Sequence, residues 1–242
     1  MHLEWGSAGL AEAGRLAGTV VVVDVLGFST AVTVAAERGV DVRPLRPGHA
    51  AYARRVAERS GAQVVAPAGE AGAAAALAAV PAGSEVVLAD GGGGLALTAG
   101  ARGCTVLVGC LRNARAVAAR ALALEAPTLV VAAGDRWRAG GLRVAIEDQL
   151  GAGAILAAAL DLAPATPVSP EAGAAVAAWE AARPHLDAAL RESTSGQALV
   201  VSGQADELTW AGAPNVTDVV PVLADGRFAA AGRPRGGMPS PR

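Results

Sequence analysis

The chain contains no lysine: all twenty of its basic residues are arginine. That absence excludes a Walker-type phosphate lysine and a Schiff-base lysine, together with the chemistries built on them. Basic residues number 20 against 22 acidic ones, with no basic run, so nucleic acid is not an expected partner. Aromatic residues make up only 3% of the chain, and its apolar 52% is mostly Ala and Val, so helices must pack closely on a sheet through small side chains. No uncharged apolar run reaches the roughly 18 residues of a membrane span. The opening "MHLEWGSAGLAEAGRLAG" carries Glu4, Glu12 and Arg15 where a secretory leader needs an unbroken apolar stretch. A cytoplasmic protein without membrane association is expected. The two cysteines, Cys104 and Cys110, flank "TVLVG". With that segment extended, their Cα atoms stand about 20 Å apart, too far for a disulfide, and both are expected as reduced thiols in or near the core.

What is present is an alternation of short β-branched runs with Ala-rich helical stretches, the grammar of βαβ units. It predicts strands at 19–24, 41–45, 63–66, 85–89, 104–108 and 128–133, and helices at 29–38, 48–60, 70–79, 94–102, 113–123 and 144–160. A helix over 170–191, bent at Pro184, a short one at 193–203 and a late strand at 216–223 complete the reading. The expected fold is α/β, a Rossmann-like three-layer α/β/α arrangement with mostly parallel sheets in two packed subdomains, 1–80 and 81–231. The Gly/Pro-rich tail 232–242 is expected to be disordered. Trp137, Trp179 and Trp210 read as packing anchors, and the three histidines as uninformative.

In such folds the ligand sits beyond the carboxyl ends of the strands, where loops meet helix N-termini. Four junctions there carry polar groups. In "TVVVVDVLGFST", Asp24 ends a run of four valines, and a charge in that position is costly without a partner. A divalent cation held by oxygen ligation would be one such partner, and a backbone hydrogen bond in the loop another. Ser29 and Thr30 follow, able either to cradle a phosphate or to cap the next helix. In "ADGGGG", Asp90, Gly91 and Gly92 allow a close approach of ligand or backbone. The loose G-x-G-x-x-A there has no acidic residue after the next strand to hold a ribose, which argues against NAD. In "GCLRNA", Asn113 suits an N-cap and Arg112 could grip an anion bidentately. In "VAIEDQLGAGAI", Glu147 and Asp148 occupy the first helical turn, where the helix dipole favours acids. Neighbouring helical residues diverge by about 100°, so at most one of these two is expected to face a given metal, and Gly151 and Gly153 allow close helix packing.

Taken in order, "VVVVDVLGFST", "VLVGCLRNARAVA", "VAAGDRW" with "VAIEDQLGAGAI", "STSGQALVVSGQADEL" and "VTDVVPVL" resemble the 2-phosphosulfolactate phosphatase (ComB) family across residues 19–228. The resemblance implies a Mg²⁺-dependent phosphatase that removes phosphate from 2-phosphosulfolactate on a route to coenzyme M. Asp24, Glu147 and Asp148 fit the family's pattern and are the expected catalytic acids, with Asp24 and Glu147 (or Asp148) as the expected metal ligands. Ser29, Thr30, Asp90, Gly91, Gly92, Arg112 and Asn113 would then bind substrate, a small phosphorylated organic acid, and a homodimer is the candidate assembly. The sequence departs from the family pattern at four places. Gly27 stands where an arginine is usual, and "DGGGG" replaces an Asn-Gly-Thr/Ser turn. Ser195 takes the place of a histidine, and Asp206-Glu207 reverses a Glu-Asp pair. Losing an arginine and an asparagine donor makes a catalytically degenerate anion- or metabolite-binding protein the alternative. Arg112, Arg136 and Arg138 are the candidates to compensate.

Overall fold

A computed structural model describes residues 1–45, 63–65, 72–89, 93–101 and 103–230. The expected helix at 48–60, Asp90, Gly91, Gly92 and the tail from 232 lie outside the described residues.

The chain opens with β1 (His2–Trp5) and α1 (Gly6–Ala13), then β2 (Thr19–Val23), α2 (Phe28–Glu37) and β3 (Asp41–Leu45). Next come β4 (Gln63–Val65), α3 (Ala73–Ala78), β5 (Glu85–Ala89), α4 (Gly93–Gly100), β6 (Thr105–Gly109), α5 (Ala114–Ala123) and β7 (Thr128–Ala132). A small hairpin of β8 (Asp135–Arg136) and β9 (Leu142–Arg143) precedes the long α6 (Ile146–Leu162). Helices α7 (Pro170–Ala182), α8 (Leu186–Glu192), α9 (Thr194–Val201) and α10 (Asp206–Ala211) follow, and β10 (Pro221–Ala224) and β11 (Arg227–Ala230) close the sheet.

Among the described residues, nine strands form one sheet in the order β1-β7-β2-β6-β10-β11-β3-β5-β4. β1, β7, β2 and β6 are mutually parallel, as are β3, β5 and β4. The antiparallel hairpin β10–β11 joins the two blocks, pairing Val222 with Leu107 and Phe228 with Val42. β3 and β4 both pair in parallel with β5. Asp225 and Gly226 both have positive φ (53° and 74°), as a two-residue hairpin turn requires.

The valines of β2 show why the sheet must be covered on both faces. Val21 and Val23 point into a core with α5, α6 and α7. Val20 and Val22 point into a second core with Phe28, Val32, Leu97 and Phe228. All four are fully buried, which is the reason this strand reads as an unbroken apolar run rather than an alternation. The result is a three-layer α/β/α fold. Phe28 and Phe228 meet edge to face, ring centres 5.8 Å apart, tying α2 to the bridging hairpin.

Gly153 lets α6 approach α7 so closely that a Cβ there would overlap the Ala175 carbonyl and Trp179. Trp179 is buried as expected and Trp210 packs against Arg112, but Trp137 is 59% exposed on the β8–β9 hairpin, whose two-residue strands leave it nothing to anchor. Cys104 and Cys110 are free thiols; burial pushes the Cys110 thiol pKa up. Among the described residues no helix is long and apolar enough to cross a membrane.

Candidate active site

Asp24 leaves the buried end of β2 half-buried, and its carboxylate is fixed by the structure around it. Oδ2 accepts the N–H of Gly94 at 2.8 Å, at the start of α4. Only glycine permits this: a Cβ at residue 94 would collide with Phe28 and come within 3.0 Å of the same Oδ2. The turn carrying Asp24 is held from below by hydroxyls. The Asp24 N–H donates to Ser29 Oγ (2.9 Å), the Ser29 hydroxyl donates to the Val22 carbonyl (3.1 Å), and Thr30 Oγ1 donates to the Val25 carbonyl (2.6 Å).

In these bonds the Ser29 and Thr30 hydroxyls, the candidates to cradle a phosphate or cap the helix, engage the backbone of the turn. Both are buried, and a buried turn leaves backbone groups that must find partners; nearby serine and threonine side chains supply them. Arg112 and Asn113 are likewise drawn inward. Arg112 Nε and Nη2 donate to the two oxygens of Glu37 at 3.0 Å each, Nη1 donates to the Trp210 carbonyl, and the guanidinium stacks 5.5 Å from the Trp210 ring centre. Asn113 Oδ1 accepts the Cys110 N–H (2.9 Å), while Nδ2 donates to the Val108 and Val219 carbonyls. These four residues build the frame, and none of them lines the cavity described next.

That cavity, of about 200 Å³, is lined by Asp24, Gly27, Gly93, Gly134, Asp135, Glu147, Asp148 and Ser195, among others. It adjoins a chamber of about 290 Å³ that shares Gly93, Gly134 and Asp135 and adds Trp5, Ser7 and Arg136. Arg138, the other arginine considered as a compensating cation, is exposed and lines neither space.

Glu147 and Asp148 both reach the site from the first turn of α6, and they divide the work. Asp148 accepts two backbone hydrogen bonds, from Val25 N–H at 2.7 Å and Gly134 N–H at 2.8 Å, so it stitches the loop after β2 to the end of β7. Burial, and then the charges of Asp24 and Glu147, push its pKa well above the usual carboxylate range, against the pull of the two amides. Glu147 is just as buried, and its Oε2 has no hydrogen-bond partner among the described residues. A buried carboxylate oxygen without a donor carries a large desolvation cost, which a cation would remove. No three His, Cys, Asp or Glu side chains among the described residues are grouped as a ready metal cage. Mg²⁺ does not require one, since it is commonly held by one or two carboxylates with waters and substrate phosphate completing the octahedron. Asp24 and Glu147 fit that donor set.

Sequence reasoning missed one part of the site. Arg143, buried on β9, donates from Nη2 to Asp135 Oδ2 (2.8 Å) and Ser195 Oγ (2.7 Å). Burial opposes ionisation of Asp135, but the hydrogen bonds from Arg143 and the Arg136 N–H and the charge of Arg143 outweigh it, lowering its pKa. Asp135 and Arg143 lie in "GDRWRAGGLR", where the paired glycines (φ 88° and 86°) signal a turn.

The fold and the site together define a three-layer α/β protein with an acidic cleft at the carboxyl ends of its central strands. The chain belongs to the 2-phosphosulpholactate phosphatase family, whose family model matches residues 7–226. Comparison with curated proteins finds no match.

Proposed function

We propose that this protein is a Mg²⁺-dependent phosphatase that hydrolyses a phosphate monoester of a small acidic metabolite such as 2-phosphosulfolactate. Family membership supports the phosphatase class. The observation that carries the metal dependence is Glu147, a buried carboxylate with an orphaned oxygen in the same cavity as Asp24. Asp24 and Glu147 would hold the ion, Asp148 would fix the loop that presents Asp24, and the glycine-lined floor would let the phosphoryl group approach the backbone. Bound there, Mg²⁺ supplies the positive charge that offsets a phosphoryl dianion. The carboxylate cavity of about 200 Å³ opens beside the chamber of about 290 Å³ that shares Gly93, Gly134 and Asp135, which leaves room for a small phosphorylated acid against the acidic cleft.

One observation favours the alternative, a family member that binds an anion or metabolite without turnover: among the described residues, no arginine lines the carboxylate cavity. A single assay separates the two readings. Phosphate release from 2-phosphosulfolactate or 2-phospholactate is measured with Mg²⁺ and with chelator, for the wild type and Asp24→Asn. The proposal expects release that needs Mg²⁺ and is lost in Asp24→Asn. Release indifferent to both defeats the mechanism, and binding without release establishes the alternative.

A further inference from the structure

Ser195 sits in the first turn of α9 in a fixed place. Ser193, not Ser195, caps that helix by accepting the Gly196 N–H at 2.9 Å, and Gly196 is wedged against the Leu190 carbonyl. The Ser195 hydroxyl oxygen accepts from Arg143 Nη2 at 2.7 Å, and Arg143 is itself locked by Asp135 through the same nitrogen. Because that oxygen is an acceptor toward the guanidinium, its own hydrogen remains to be donated. Among the described residues it has no acceptor, and Ser195 lines the carboxylate cavity. Among the described residues the other polar side chains lining that cavity, Asp24, Asp135, Glu147 and Asp148, are all acids, so the serine hydroxyl is the side-chain donor they leave to an incoming anion there. Accepting from a cation also polarises a hydroxyl and strengthens it as a donor.

We propose that Ser195, held by Arg143, is a specificity-determining residue that donates its hydroxyl hydrogen to an anionic oxygen of the ligand. The class of ligand rests on the phosphatase reading; the donor geometry does not. Arg143 is the positioning residue, since Asp135 already balances its charge and its effect passes through Ser195.

The test begins with binding. Inorganic phosphate and sulfolactate are titrated calorimetrically into the Mg²⁺-loaded wild type, Ser195→Ala and Ser195→Thr. Loss of one hydrogen bond to a charged group weakens binding roughly 10- to 100-fold, so Ser195→Ala is expected to bind at least one of the two anions that much less tightly. Ser195→Thr, which keeps the hydroxyl and with it the bond from Arg143, is expected to recover most of the affinity. Weakening toward phosphate identifies the phosphoryl oxygen as the acceptor, and weakening toward sulfolactate alone identifies the acid tail. In turnover, Ser195→Ala and Arg143→Ala are both expected to raise KM more than they lower kcat. Equal binding by wild type and Ser195→Ala overturns the proposal, as does a wild type that binds neither anion. A wild type that binds phosphate but releases none from a phosphoester defeats the phosphatase reading and leaves Ser195 to be judged on the binding data.

Discussion

Replacing Asp148 by asparagine tests whether this residue is a buried strut whose ionisation is resisted. Its two oxygens accept from Val25 and Gly134, both through backbone N–H groups. An asparagine keeps one acceptor and turns an NH₂ toward the other amide, leaving a buried donor unsatisfied at a cost of about 1–3 kcal/mol. For a chain of this size that corresponds to a melting temperature lower by about 2–12 °C. The deficit depends on pH in a direction fixed by the raised pKa of Asp148. While protonated, the aspartic acid still has lone pairs on both oxygens and satisfies both amides. As pH rises through its folded pKa, the wild type must ionise a buried carboxyl beside Asp24 and Glu147, and it loses that increment of stability. The variant has no such group, and its neighbours lose a repelling charge. The gap between wild type and Asp148→Asn, followed by thermal melting in chelator from acid to neutral pH, should therefore be widest in acid and narrow on the way up. A gap that grows with pH would show that Asp148 prefers its charge, and would refute the reasoning.

Other substitutions separate frame from site. Arg112→Ala breaks two charged hydrogen bonds to Glu37 and one to the Trp210 carbonyl; at roughly 1.5–3 kcal/mol per charged bond it should lower the melting temperature clearly while leaving KM for a phosphoester unchanged. A rise in KM without loss of stability would return Arg112 to the site. Gly94→Ala places a methyl against Phe28 and the Asp24 carboxylate, so it should abolish Mg²⁺-induced thermal stabilisation; full retention of that stabilisation would mean that the Gly94–Asp24 contact does not order the cleft. Gly153→Val forces α6 away from α7, and overpacking of this kind typically costs about 1–3 kcal/mol or more, which denaturant unfolding would report. An unchanged midpoint would mean the helices part without strain.

The sequence made the frame readable wherever one interaction dominates. Four consecutive valines in β2 have a single explanation, burial on both faces, and the strand begins and ends within a residue of its expected place. β1 was not foreseen because "HLEW" mixes polar and apolar residues, and its strand character comes from pairing with β7. The strand expected at 216–223 forms only from Pro221 to Ala224, and the Asp-Gly turn that follows folds it back as the hairpin β10–β11, whose second strand is too short and mixed to stand out in the sequence. Among the candidate site residues, the acids carry a sharper signal in the sequence than the hydroxyls do. An acid at a strand end or in the first turn of a buried helix is costly without a partner, which singles out Asp24, Glu147 and Asp148. A serine or threonine at a βα turn can serve backbone or ligand equally, and in Ser29 and Thr30 the backbone won. Arg143 and Ser195 meet across 52 residues of chain, and no local pattern encodes that meeting.

The central claim is that Asp24 and Glu147 form a cation site. A crystal structure of the protein soaked in Mg²⁺ tests it most directly. The expected result is an octahedral ion with one oxygen of each of these carboxylates at about 2.0–2.1 Å and the remaining positions filled by water, while Asp148 keeps its bonds to Val25 and Gly134. An ion bound elsewhere, or a cleft in which Glu147 Oε2 stays without a ligand at saturating Mg²⁺, would contradict it.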